Sequence, residues 1–415
     1  MPTVIQSVTL RNYKSIARCK VDLSPLTLLV GPNGAGKSNF VDSLRLVAES
    51  LRTSLEHALR DRGGINIVRR LSRGHPTHFG IRTDLILPDG TPAFYAFQVG
   101  ALPNGAFRVQ QEECYVFKPS EGALQSFFKV ENGSLKDSFP ELRSKVEPDR
   151  LFLTVVSGFS EFRTVYDMLS RMGFYNLNPG RIRDLEEPDP GELLARDGSN
   201  ISSVMQRLKS TDNNTYHRIE KYLAAVVPGI VSVEPKHLGP KETLEFRQQI
   251  AGDKHPWRFL PSNMSDGTLR VLGVLVAAFQ AFSTNHRPIP LVGIEEPELA
   301  VHPGAATVLL EALREVSKRT QILLTTHSPD LLDEKSLDPD SILSVTSRLG
   351  ETQIAPIDKA TRASIIDRLY SPGELLRLGQ IEPDEDALKD TSQLELFGPR
   401  SPHAGPHYPD RRGSR

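Results

Sequence analysis

Gly31-Pro32-Asn33-Gly34-Ala35-Gly36-Lys37-Ser38 constrains this chain more than any other stretch, because that spacing works only between a strand and a helix. Both flanks are present. Leu26 to Val30 is an apolar run leading into Gly31, and Phe40, Leu44, Val47 and Leu51 recur at three- and four-residue spacing, which gives a helix one apolar stripe. Residues without side chains let successive backbone N–H groups converge on phosphate oxygens, and Lys37 adds a point charge. The helix start contributes its positive dipole end, with Asn39 in its first turn, and the Ser38 hydroxyl is placed to ligate a Mg²⁺ bridging terminal phosphates. Four restricted positions coincide by chance in on the order of one chain in a hundred. The flanking strand and helix separate this run from a plain glycine turn.

The rest of the chain alternates between two rhythms. Val4 to Leu10 and Ala17 to Leu23 read as short strands, and Phe79 to Phe117 as an antiparallel sheet with turns at Pro88-Asp89-Gly90 and Pro103-Asn104-Gly105. Glu121 to Ile230 reads as mostly helical, broken at Asn178-Pro179-Gly180 and over Glu186 to Gly191, with Asp197-Gly198-Ser199-Asn200 opening a helix. A β/α rhythm returns with strands at Leu291 to Ile294, Gln321 to Thr326 and Ser341 to Val345, and a helix begun by Pro303. The expected division is therefore 1–121 for the first half of a split α/β core and its antiparallel sheet, and 122–262 for a mainly helical insert. Residues 263–375 form the second half of the core, and 376–415 a tail expected to be disordered at least from 398, where prolines replace apolar residues. Sustained heptads and internal repeats do not occur.

Composition narrows the class. The chain has 415 residues, 38% hydrophobic and 24% charged, with a formal net charge of -1, an ordinary globular balance that argues against an obligate nucleic-acid coat protein. Cys19 and Cys114 lack metal-ligand spacing, so neither a disulfide framework nor a zinc site is expected. The N-terminus lacks a signal peptide's unbroken apolar stretch, and Val271 to Phe282 is too short to span a bilayer. The expected setting is cytoplasmic, without a membrane partner.

Three further places carry chemistry. Leu291 to Ile294 runs into Glu295-Glu296-Pro297-Glu298, putting carboxylates where a parallel sheet opens towards its ligand crevice. Glu295 is expected to hold the metal and Glu296 to orient the water that attacks a γ-phosphate. A solvated acidic turn before a helix is the plainer alternative. His327, at the tip of the strand Gln321 to Thr326, would sit beside the same crevice and contact the γ-phosphate or that water. Ser265 and Gly267, before the strongly apolar Leu269 to Phe282, offer a hydroxyl and a helix N-terminus as another phosphate-binding surface, or simply a helix cap.

In this order, Gly31 to Ser38, Ser265-Asp266-Gly267, Ile294-Glu295-Glu296-Pro297-Glu298 and Thr326-His327-Ser328 resemble the ABC-type ATPase head, and more narrowly the RecF-like and OLD-like ATPases. Leu10-Arg11-Asn12-Tyr13-Lys14-Ser15 is similar to that family's first hairpin and Leu375-Leu376-Arg377-Leu378-Gly379 to its closing segment. The resemblance implies an α/β P-loop NTPase head with an antiparallel β subdomain and an inserted helical lobe, binding ATP and Mg²⁺. It also implies a homodimer sandwiching two nucleotides, with Ser265 and Gly267 of one chain facing the γ-phosphate held at Lys37 of the other. Glu295 stands where most ABC proteins have Asp, Asp266 where many have Gly, and Val301-His302-Pro303 where an aspartate often marks the subunit contact. Spacing does not choose a Q-loop glutamine, with Gln110 and Gln111 in the plausible region. The short chain after His327 leaves little space for the Toprim nuclease of OLD proteins.

Two functions remain open. One is a DNA-linked ATPase in repair, recombination or defence, for which Arg60, Arg62, Arg69, Arg70 and Arg73 could meet backbone phosphates. The other is a nucleotide-gated regulatory or assembly ATPase that holds a protein partner, such as a separately encoded nuclease, without touching DNA.

Overall fold

The computed structural model describes residues 4–72, 74, 76–117, 124–282, 288–299, 301–333, 337–390 and 395–399. The central sheet is built from β3 (Leu26–Val30), β9 (Gly173–Tyr175), β13 (Leu291–Glu295), β14 (Gln321–Thr326), β15 (Ile342–Arg348) and β16 (Glu351–Pro356), in the order β16-β15-β3-β14-β13-β9. All neighbours are parallel except the β15–β16 hairpin. Parallel strands buried on both faces need continuous apolar runs, which explains Leu26 to Val30 and Leu291 to Ile294. Leu29, Leu291, Leu323 and Val345 pack on the side of the Lys37–Arg52 helix. Leu28, Val30, Val292, Ile294, Ile322 and Leu324 face the other core, with the Asp266–Phe279 and Pro303–Ser317 helices. Every residue from Thr268 to Phe279 is buried, so this helix is apolar all round rather than amphipathic.

A second, antiparallel sheet has the order β2-β1-β4-β5-β6-β7-β8. Its strands are β1 (Ile5–Tyr13), β2 (Ile16–Asp22), β4 (His78–Ile86), β5 (Pro92–Ala101), β6 (Phe107–Phe117), β7 (Leu124–Glu131) and β8 (Ser134–Phe139). A small third sheet joins β10 (Ile230–Leu238), β11 (Lys241–Gln248) and β12 (Trp257–Phe259).

The stretch 122–262, expected to be mainly helical, needs correction. Helices at Phe152–Val156, Ser160–Ser170, Ile201–Thr211 and Asn213–Val226 are interleaved with six strands, β7 to β12. β7 and β8 turn through Asn132 and Gly133, both at positive φ (49° and 75°), the geometry that tight hairpins reserve for Asn-Gly. β9 is only three residues long, too short to show a period, and it forms an edge of the central sheet beside β13. In the tail, Leu396 is buried and the Gly398 N–H donates to Glu113 Oε2 at 2.8 Å, so the chain is anchored at 396–398; residues 391–394 and 400–415 lie outside the described residues.

One buried ionic cluster joins the first hairpin to the phosphate-loop helix. Asp42 meets Lys14 Nζ at 2.6 Å, Arg45 Nη2 at 2.6 Å and Arg62 Nη2 at 3.0 Å, and accepts from the Tyr13 hydroxyl at 2.8 Å. Burial pushes the Asp42 carboxyl up, but the charges of Arg62, Lys14 and Arg45 outweigh it and hold it well below the usual carboxylate range. Because folding lowers this pKa, its stabilisation is complete above the ordinary aspartate value of about 4 and is lost as pH falls through the acid range. Asp42→Asn should cost about 3–5 kcal/mol at neutral pH by removing the anion that Lys14, Arg45 and Arg62 share, with only Glu49 left beside the buried Arg62. Urea unfolding across pH is the measurement; a variant as stable as the parent would mean the cations need no anion.

Candidate functional site

The phosphate loop lies between β3 and the Lys37–Arg52 helix, braced by both ends of the chain. Gly31 has no room for a side chain, since a Cβ would meet the Val345 carbonyl oxygen of β15 at 2.0 Å. Gly36 sits at φ 105° with Thr352 of β16 equally close, so a Cβ there is excluded by strain and by space. Thr352 Oγ1 donates to the Ala35 carbonyl at 2.8 Å and lies 2.7 Å from Ser15 Oγ, which accepts from Asn39 Nδ2 at 2.6 Å. Pro32, Asn33, Gly34 and Ser38 are exposed, while Lys37 is buried with its Nζ donating to the Gly31 and Pro32 carbonyls at 2.7 and 3.0 Å.

The acidic strand end meets this loop across one strand, because β14 lies between β3 and β13. Burial pulls the Lys37 ammonium below its ordinary value, and the charges of Glu296 and Glu298 pull it back up. His327, just beyond β14, places Nδ1 3.3 Å from Glu296 Oε1. Glu296 itself has φ 46°, unusual for a side chain of this size, and the turn is held from two sides. Its N–H donates to the Thr325 carbonyl at 3.0 Å. Its carbonyl accepts from Arg270 Nη2 at 3.1 Å, while Arg270 Nη1 donates to the Leu177 carbonyl at 2.8 Å. Glu295 pairs with Arg196, at 3.1 Å, on the segment that follows β9.

Several of these residues were not singled out from the sequence. Arg270 is the one charge in the buried Thr268–Phe279 stretch of its helix, a legible signal that it is spent on buried carbonyls. Glu298 is buried, and its Oε1 accepts from Thr326 Oγ1 at 2.5 Å. Burial raises its carboxyl above the ordinary value against the Thr326 hydroxyl and the His327 charge.

A triphosphate and a divalent cation fit the residues present. Glu298 Oε2 and His327 Nδ1 are buried without a hydrogen-bond partner, so polar groups wait for a ligand beside the buried lysine. Nothing lies within 4 Å of a Cβ built at Gly34, which leaves the loop open to approach. Among the described residues no group of three or more His, Cys, Asp or Glu is placed to hold a metal ion.

Other expected positions lie apart from this crevice or serve the fold. Ser265 caps the Asp266–Phe279 helix, accepting from Thr268 N–H at 3.2 Å, and remains exposed, with Gly267 half-buried in the first turn. Asp266 pairs with Arg183 at 2.5 Å. His302 caps the Pro303–Ser317 helix through Nδ1. Gln110 and Gln111 belong to β6 of the antiparallel sheet; the strand that flanks β13 is β9, and Asn176 and Asn178 follow it. The arginine stretch is largely committed internally: Arg62 to Asp42 and Glu49, Arg69 to the Pro76 carbonyl, and Arg70 to the Ser15 carbonyl and Glu351. Arg73 lies outside the described residues.

Arg270→Lys keeps a charge but cannot span the Leu177 and Glu296 carbonyls together. The expected loss is about 1–3 kcal/mol in urea unfolding, with faster amide exchange at Glu296. Unchanged protection at Glu296 would mean the turn stands without its clamp.

Residues 26–333 match the family described as "AAA domain, putative AbiEii toxin, Type IV TA system". The chain is 24% identical over 284 residues to the chromosome partition protein Smc of Desulfitobacterium hafniense (strain Y51), covering 59% of this chain and 23% of that protein. It is 22% identical over 363 residues to the Old nuclease of Escherichia phage P2, covering 81% of this chain and 58% of that protein. It thus spans less than two thirds of the length of either relative. Among solved structures, the Smc head bound to the C-winged helix domain of ScpA is 13% identical with a TM-score of 0.53, over 86% of this chain and 99% of that one. That likeness speaks for the fold alone. Among the described residues no helix is long and apolar enough to cross a membrane. The chain belongs to this AAA family, as an ABC-type ATPase of the OLD-like and RecF-like group.

Proposed function

We propose that this chain binds ATP with Mg²⁺, hydrolyses it, and closes as a homodimer on two nucleotides. The observation that carries the reading is the convergence on Lys37: the loop lysine feels the charges of Glu296 and Glu298, and His327 stands beside Glu296. Backbone N–H groups of Gly34 to Ser38 would receive the phosphates, and Lys37 would exchange a loop carbonyl for a phosphate oxygen. Ser38 and Glu295 would hold the Mg²⁺, which when bound supplies positive charge to the terminal phosphates. For that, Glu295 has to release Arg196. Glu296 orients the attacking water, and His327 contacts that water or the γ-phosphate. The exposed Ser265, at a helix N-terminus with Gly267, is the surface offered to the nucleotide of the partner chain.

Lys37→Ala should abolish binding of a fluorescent ATP analogue. Glu296→Gln should keep binding and ATP-dependent dimerisation while slowing turnover by roughly 10²-fold or more. Normal turnover by the glutamine variant would place the water elsewhere.

The process served is proposed as DNA repair, recombination or defence, supported by the chromosome partition and Old nuclease relatives. The alternative is a regulatory ATPase gating a protein partner, such as a separate nuclease, without DNA contact. One observation favours it: Arg62, Arg69 and Arg70 are engaged within the molecule and offer little to a phosphate backbone. ATP turnover with and without duplex DNA over a salt series separates the two. Stimulation that fades with salt supports the first reading, and an unchanged rate with no binding removes it.

A further inference from the structure

The outer face of the antiparallel sheet carries a short piece of the far C-terminal chain. Leu396 is buried where Gly80, on β4, has no side chain; a Cβ there would come within 2.4 Å of Leu396 Cδ1. Glycine weakens a strand interior, and its presence marks the close approach of another segment. The fully buried Arg82 donates from Nη1 to the Leu396 and Gly398 carbonyls at 3.1 and 2.7 Å. Glu113 accepts from Gly398 N–H.

Arg82 does not depend on that segment. Its Nε and Nη2 bond Asp84 Oδ1 at 2.9 and 2.7 Å, and its guanidinium lies 3.8 Å from the Phe94 ring centroid. When the segment leaves, Arg82 keeps its counter-ion and its aromatic neighbour, and only one nitrogen has to be rehydrated. Phe397 is half-buried even when the segment is docked. The contact is specific but short, the kind that a competing surface displaces.

The sequence around it points the same way. The chain reads Glu395-Leu396-Phe397 after Gln393-Leu394, and from Gly398 to Arg415 only Tyr408 is a large apolar residue. Adjacent leucine and phenylalanine anchors followed by a polar, proline-rich stretch are how an extended peptide presents itself to a pocket. We propose that Leu396–Phe397 is a tethered docking peptide. It rests in the Gly80 notch while the head is alone, and is taken by a partner protein whose preformed apolar cleft has adjoining pockets for a leucine and a phenylalanine. This holds whether or not the nucleotide reading does.

The probe is a purified bacterial DNA sliding clamp, a ring protein with apolar clefts for client peptides. Fluorescence anisotropy gives its affinity for a labelled peptide of residues 389–400, and competition gives that of the full chain and of Gly80→Val, which fills the notch. The peptide and Gly80→Val should bind alike, and the parent chain about tenfold more weakly, because only its undocked fraction is competent. Leu396→Ala with Phe397→Ala should abolish binding of peptide and chain. A peptide that fails to bind overturns the proposal even if Gly80→Val does not fold, and equal affinity of peptide and parent chain overturns the resting role of the notch.

Discussion

Everything at the crevice depends on the neighbour relations β3-β14-β13. Parallel pairing sets Val30 beside Thr326 and Glu295 beside Thr325, so three loops from distant parts of the chain leave the sheet at one edge and one height. Backbone ladders fix this geometry before any side chain acts, and ligand crevices in open parallel sheets form at that edge. The charged groups are then added to a platform made rigid by two apolar cores.

The turn at Glu296 shows what that platform has to hold. A left-handed glutamate at the end of a buried strand is costly, of order 1–3 kcal/mol, and persists because neighbours over-determine it. Thr325 binds it from the adjacent strand, and Arg270 binds it from a helix whose other buried positions are devoted to packing. Arg270 also reaches the Leu177 carbonyl, so one side chain ties together the segment after β9, the Ser265 helix and the acidic turn.

Much of this was legible in the residue pattern. The glycine run, the apolar strand and helix flanking it and the acids after Ile294 announce themselves because buried parallel strands and phosphate loops tolerate few alternatives. The 124–139 hairpin was missed: Asn132-Gly133 is a turn signal, but its strands alternate weakly and the stretch read as mostly helical. β9 was not legible, since three residues carry no period and only pairing with β13 defines them. Glu298 reads as one acid of three; its burial and its bond to Thr326 come from the fold. The arginine stretch misled for a similar reason, because charge in sequence does not tell that Arg62 is enclosed with Asp42 and Glu49.

The bracing of the phosphate loop by Ser15 and Thr352 has a consequence for biogenesis. Asn39 leans on a hydroxyl near the start of the chain, and Ala35 on one more than three hundred residues later. A growing chain emerging from the ribosome makes the glycine turn early, yet lacks its far support until β16 has been synthesised. Truncated or nascent polypeptides lacking β16 would therefore carry an unfinished nucleotide pocket, and competence to capture ligand would arrive only after that strand has been made.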